Sequence, residues 1–393
     1  MSKRTKYLLV ILTILAILVV PLLGALIYYK GEFPSHLFYF PPTEVVAKPG
    51  FSWPVFIGLL FPIAFVVLLY VYPWWFGFKR PEKRQATNSE GNFPWWFWAG
   101  LLVSSVDAVF LFGHIESATY ILNLGFIPII WGIVFATDGW VYKRTNGRSI
   151  LGEKPWNLVW MACCSAFAWG YFEYLSFFVG VNWYYPEAAR ISTLAFYVYA
   201  IVGGGVLVPF AFEGYMLLNS FKGLGRRYSF GPKITLSKSV QIGALAISLL
   251  SIFLITYFPN ILFPMLWLGP VIILSVAFDL IGLWTPFRPI AREGNWTPLA
   301  LIGFAELIIG LIHETVNFFS AFHHPFSTVV PGYWIYSVPY VDRFYVFEMP
   351  FEGLFGYLPY GIYNWIIWIG FAYIFKISTQ FNNNKAVVAG HLN

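Results

Sequence analysis

The chain has 393 residues, of which 59% are hydrophobic, 21% aromatic and only 11% charged. That balance excludes an ordinary water-soluble domain, in which about a quarter of residues are charged, and it marks a multi-pass membrane protein. The net charge of +6 calls for no nucleic acid, because basic residues gather in loops beside membrane spans as topology signals. Adjacent Cys163 and Cys164 make no disulfide framework.

Apolar runs long enough to cross roughly 30 Å of hydrocarbon predict ten helices. They lie at Tyr7 to Tyr29, Trp53 to Phe78, Pro94 to Gly113, Ala118 to Thr137, Pro155 to Gly180, Ile191 to Phe221, Ser239 to Phe258, Ile261 to Trp284, Thr297 to Phe322 and Phe344 to Phe375. The glycine triplet at 203–205 is expected to interrupt the sixth run. The first run follows a basic start but outlasts a signal-peptide core, so it reads as an uncleaved anchor. Threaded alternately, these ten runs leave only Lys30, Lys48, Arg190 and Arg343 of the 24 basic residues outside. The expected location is therefore a cell membrane with both termini cytoplasmic.

The chain also repeats itself. Leu124-Gly125-Phe126-Ile127-Pro128 followed by Asp138 returns as Leu268-Gly269-Pro270 followed by Asp279. Phe172-Glu173-Tyr174 is answered by His313-Glu314-Thr315, then Trp183-Tyr184-Tyr185-Pro186 by Trp334-Ile335-Tyr336 with Pro339, then Pro209 with Glu213 by Pro350 with Glu352. Glu314 and Glu352 follow Glu173 and Glu213 by 141 and 139 residues. The fold class predicted is all-α: a bundle of about ten helices, two parallel four-helix repeats behind two N-terminal helices. Its divisions are residues 1–93 (two helices and a polar linker), 94–221 (first unit), 222–238 (inner linker), 239–376 (second unit) and 377–393 (polar tail). An even helix count keeps orientation, so the units relate about an axis along the membrane normal, with a shared cavity expected between them.

Nine acids sit in or at the edges of the apolar runs with no Lys or Arg in the same runs: Asp107, Asp138, Glu173, Glu213, Asp279, Glu306, Glu314, Glu348 and Glu352. A carboxylate in hydrocarbon is costly unless paired, hydrated or neutralised, so such acids point to function. Asp138, Asp279 and Glu348, near helix ends, are expected to be solvated. On the ninth helix Glu306, Gly310, His313 and Asn317 fall on one face, with Glu314 about 100° around. Such a stripe serves either interhelical packing or a pocket. An uncharged acid beside a second carboxyl suits proton donation and recovery, and aromatic side chains near the repeated glutamates, Trp169, Tyr174, Trp183, Phe318, Trp334 and Tyr336, could steady a carbocation. Asp107 and His114 share a face but offer too few ligands for a metal. His323 and His324 read as solvated loop residues. No phosphate-binding loop, serine elbow or zinc motif is present.

In these residues the chain resembles the integral membrane lycopene cyclase domain, a helical module found paired or fused in tandem. The matching positions are Pro128 with Asp138, Glu173, Trp183 with Pro186, and Pro209 with Glu213, then Pro270 with Asp279, Glu314, Trp334 with Pro339, and Pro350 with Glu352. The family's double acid is absent, Gly353 following Glu352. The resemblance covers both units but not the first two helices, and implies cyclisation or isomerisation of a lipid-soluble isoprenoid or carotenoid without a redox cofactor or metal. Glu314 and Glu352 are then the acid and base, Glu173 and Glu213 the matching pair, and His313, Asn317, Glu306, Trp183, Trp334 and Tyr336 the substrate-facing residues. The same carboxylates would equally serve a proton- or cation-coupled transporter or channel, and the aromatic surface a non-catalytic subunit of a membrane complex. The lipid bilayer is the expected partner, with homo-oligomers or membrane-complex partners compatible with the surface.

Overall fold

The computed structural model describes residues 1–35, 37–44, 46–80, 91–321 and 330–378. Most of the predicted linker, His323 and His324, and the terminal tail lie outside the described residues. The fold is mostly helical. Its longer helices are α1 (Lys3–Tyr28), α2 (Trp53–Val71), α3 (Trp95–Phe112), α4 (Ile127–Arg144), α5 (Pro155–Phe178), α6 (Thr193–Gly204), α7 (Leu207–Ser220), α8 (Lys238–Phe253), α9 (Met265–Leu280), α10 (Thr297–Phe319) and α11 (Tyr357–Phe375). Among the described residues six stretches are long and apolar enough to cross a membrane: α1, α2, α3, α6 with α7, α10, and 351–375. A seventh is added if the bent pair Glu116–Leu122 and Ile127–Arg144, angled by 57°, counts as one span. Helices α8 and α9 are apolar but shorter.

Every predicted run contains a helix, but six or seven stretches and not ten qualify as spans among the described residues; several runs also differ at their ends. The second run stops at Val71 and turns through a 3-10 helix at Pro73–Phe76, where proline cannot continue the ladder. The fourth begins at Ile127, the preceding residues folding into a separate turn. The tenth loses its start, because 345–350 form a hairpin in which Tyr345 and Val346 pair with Pro350 and Met349.

At the sixth run the break falls at the glycines and is chemically complete. Val206 N bonds to Gly203 O, a tighter turn than the α-helical one. Ser165 of α5 enters the gap that this leaves: its Oγ donates to Gly204 O at 2.5 Å and accepts from Val208 N at 3.0 Å. The carbonyl of Val202 is taken by Trp131 Nε1 from α4 at 3.0 Å. Gly204 O, Val208 N and Val202 O thus each have a side-chain partner, which backbone groups facing lipid need. Ser165→Ala should strand Gly204 O and Val208 N, lowering stability by about 1–3 kcal/mol, which thermal unfolding of the purified protein in detergent would register. An unchanged melting temperature would show that the break is held by other means.

Packing brings α3 against α4 and α8 against α9, with α7 resting on α4, α5 and α10, and α11 on α9, α10 and α5. The closest approach of α3 and α4 runs through Gly100 and Gly132. A Cβ on Gly100 would lie 2.4 Å from Gly132 O, and one on Gly132 would lie 2.6 Å from Gly100 O. Only glycine allows two backbones so near. Helix α1 is partly interior, packing on α8, α9 and α11.

On the side reached by the ends of α5 and α10, a two-stranded antiparallel pair forms between β1 (Trp183–Tyr184) and β2 (Ile335–Tyr336), with Trp183 opposite Tyr336 and Tyr184 opposite Ile335. The segment joining α1 to α2 lies across the same side. Pro42 O accepts from Tyr185 N at 2.7 Å, Val46 O from Ser337 Oγ at 3.1 Å, and Pro49 O from Tyr340 N at 3.0 Å. Lys48 Nζ donates to Val179 O, and burial lowers this amine to a pKa of about 8.

Candidate functional site

A cavity of about 170 Å³ opens beneath the β1–β2 pair, walled by residues from α4, α5, α6, α9, α10 and α11. About half of its wall residues are aromatic, Trp131, Trp169, Phe172, Trp183, Trp267 and Trp334 among them. Phe40, from the segment between α1 and α2, packs against two of the wall residues, its ring centroid 6.2 Å from that of Trp169 and 5.7 Å from that of Phe196.

Two buried glutamates stand behind this wall, each held by aromatic donors that form part of it. Glu314 Oε1, on α10, accepts from Tyr336 Oη and from Tyr357 Oη, both at 2.7 Å. Glu173 Oε1, on α5, accepts from Trp183 Nε1 at 2.8 Å and Tyr185 Oη at 2.5 Å. All four donors line the cavity. Because Oε1 of Glu314 is occupied by two donors, an acid proton belongs on Oε2, which is buried and has no hydrogen-bond partner among the described residues.

His313 lines the cavity. Its Nδ1 lies 2.9 Å from Ile309 O, and since a carbonyl only accepts, Nδ1 carries the hydrogen there. Asn317 clamps the approach to β2 from both sides: Nδ2 donates to Trp334 O at 2.9 Å and Oδ1 accepts from Trp334 N at 3.0 Å. Asn317 therefore positions Trp334, whose own indole Nε1 is buried without a partner among the described residues, and does not itself line the cavity.

The other predicted site residues lie elsewhere. Glu213, fully buried on α7, faces Asp138 of α4. Glu306 is buried between α10 and α11 beside Asn364. Glu352 is buried at the start of the short helix Phe351–Leu354, next to the cavity wall, which Met349 and Gly353 form in its place. Tyr174 donates to Leu18 O of α1 at 2.6 Å, and Phe318 packs against Phe347 at 5.5 Å; neither lines the cavity.

The three helix-end acids expected to be solvated are all engaged. Asp138 is fully buried, accepting from Trp96 Nε1 at 2.9 Å, Ser149 Oγ at 2.8 Å and Leu151 N at 2.9 Å. It ties α3 and the loop after α4 to one point. Asp279 is half-buried and has a basic partner after all, Arg288 Nε at 2.9 Å, with Gln241 Nε2 at 3.1 Å. That cation comes from the loop just beyond the helix, where counting within apolar runs could not find it. Glu348 accepts from Tyr333 Oη.

Sequence reasoning missed Tyr185 and Tyr357, the second members of the two cages. Tyr185 stands two residues after Trp183, in the element already singled out, and Tyr357 belongs to the motif that follows Glu352. Among the described residues no group of three His, Cys, Asp or Glu side chains could hold a metal ion. Compared with family models, with curated proteins and with solved structures, the chain matches none.

Proposed function

We propose that this multi-pass membrane protein is an acid-base cyclase or isomerase of a lipid-soluble isoprenoid, built from two parallel repeats that close around the aromatic cavity. The observation that carries this reading is that Glu173 and Glu314, which correspond in the repeat, each accept two hydrogen bonds from aromatic residues lining one apolar space.

The repeat itself has three supports. Helix contacts match pairwise, α3–α4 with α8–α9 and α4–α7 with α9–α11, while α7 on α10 mirrors α11 on α5. Asp138 takes one donor from α3 and others from the following loop, and Asp279 does the same from α8 and its loop. The corresponding residues Tyr184 and Ile335 pair with each other, as they would on a local two-fold axis. Ten crossings with both termini cytoplasmic would complete this arrangement, consistent with the basic loops.

In the reaction, Glu314 is the acid. Glu314 stands behind the cavity lining, so its carboxyl must first turn into the cavity; its Oε2 proton then passes to a terminal alkene carbon, and the electrons of that double bond form the new C–H bond and leave a tertiary cation. Attack by a neighbouring double bond closes the ring, and loss of a proton from the adjacent carbon restores an alkene. Tyr336 and Tyr357 stabilise the carboxylate left on Glu314 as it forms, the role of preorganised donors at a developing charge. The aromatic walls steady the cation, and the water-poor cavity keeps it from being trapped. Glu173, matched to Glu314 in the other unit, recovers the proton in this reading, with Glu352 the alternative base. Asn317 and His313 fix the walls. Nothing in this sequence of steps requires oxidation or reduction. Cells that accumulate a linear carotenoid should yield a cyclised or shifted product when they express the chain, visible in extracted pigment by chromatography and absorbance. Unaltered pigment at good expression would remove this chemistry.

A further inference from the structure

Resting on that reading, we infer that the break between α6 and α7 is the doorway through which the unreacted length of a substrate chain passes into the lipid. Two independent observations meet here. The first is size: a cavity of roughly 150 Å³ holds a single benzene ring, so about 170 Å³ encloses one ring-sized terminus and no more. The remainder of any longer molecule must leave the cavity. The second is direction. The β1–β2 pair and the segment bonded to Tyr185, Ser337 and Tyr340 lie across one end. At the helix break, by contrast, the wall is thin. Gly203 has no side chain, Ile127 and Trp131 facing it from α4 are only half-buried, and the adjoining Ile201 and Val202 are exposed by 57% and 43%.

The local chemistry suits a door that opens without unfolding. An added Cβ on Gly203 would meet only Ile127 side-chain atoms, at 3.6 and 3.8 Å, so side chains and not backbone close the gap. The Trp131 indole bridges it through its bond to Val202 O at 3.0 Å. Swinging that ring aside breaks one hydrogen bond, while Ser165 continues to hold the rest of the break. The carbonyl of Val202 is then the only backbone group released.

Lycopene offered to the full-length protein in phosphatidylcholine nanodiscs, followed by repurification and absorbance, tests this. Wild-type protein and Glu314→Gln should both retain the pigment. Gly203→Leu, which fills the doorway at a distance from both carboxyl cages, should retain it roughly tenfold less or worse. Ile127→Trp narrows the same opening from α4 and should act alike if Gly203→Leu does not fold. Trp131→Phe, which removes the latch but keeps an aromatic ring, should release pigment several-fold faster. Wild-type retention in Gly203→Leu and Ile127→Trp at normal melting temperature overturns the doorway, and failure of wild-type protein to retain lycopene overturns the long-chain occupant. If pigment is retained but never converted, the proposed chemistry falls while the doorway stands.

Discussion

Glu314→Gln should cost at least roughly a hundredfold in product formation, the lower end of what a positioned general acid contributes, while the protein still folds and keeps its cavity. Glutamine is nearly the same shape, and its Oε1 can go on accepting from Tyr336 and Tyr357. Only the transferable proton on the second oxygen is lost. Tyr357→Phe should show a smaller loss, because one of the two donors that stabilise the developing carboxylate remains. The measurement is product yield per unit of folded protein in carotenoid-accumulating cells, alongside a melting curve. Full activity in Glu314→Gln would take this residue out of the chemistry, and a collapsed melting curve would mean that its role is to hold the wall.

The largest structural effect is expected from Asp138→Ala. Three donors from separate places, Trp96 on α3, Ser149 and the backbone of Leu151, converge on this fully buried carboxyl. Each buried donor left unsatisfied costs about 1–3 kcal/mol, so their combined loss is about 3 kcal/mol or more, a large part of the stability of a typical domain. Asp279→Ala should cost far less, less than about 1 kcal/mol, because its pair with Arg288 is a third exposed and screened. Comparing the yield and melting of the two purified variants decides the matter. Equal losses would contradict the assignment of Asp138 as the anchor of α3.

How the sequence discloses these features differs by level. The helices are legible because hydrocarbon demands long uncharged runs, and the loop arginines and lysines show where the runs stop. The Glu173 and Glu314 positions are legible because buried acids without nearby cations stand out. Their partners are not. Tyr185 and Tyr357 are two among 25 tyrosines, and nothing local distinguishes a phenol aimed at a carboxyl from one lying in the interfacial belt. Ser165 is harder still: its value depends on a gap in another helix, opened 39 residues later by glycines. Asp138 misleads for the opposite reason. Its place near a helix end suggests water, yet the chain folds a turn of Ser149–Leu151 back over it.

The strand pair across the top of the cavity has a mechanical meaning. Trp183, which grips one glutamate, lies directly opposite Tyr336, which grips the other. A molecule that pulls one of these side chains toward itself drags on a shared ribbon of backbone, and so reaches the far carboxyl without touching it. The two carboxyl cages therefore share one strand pair, and a displacement at one is expected to reach the other.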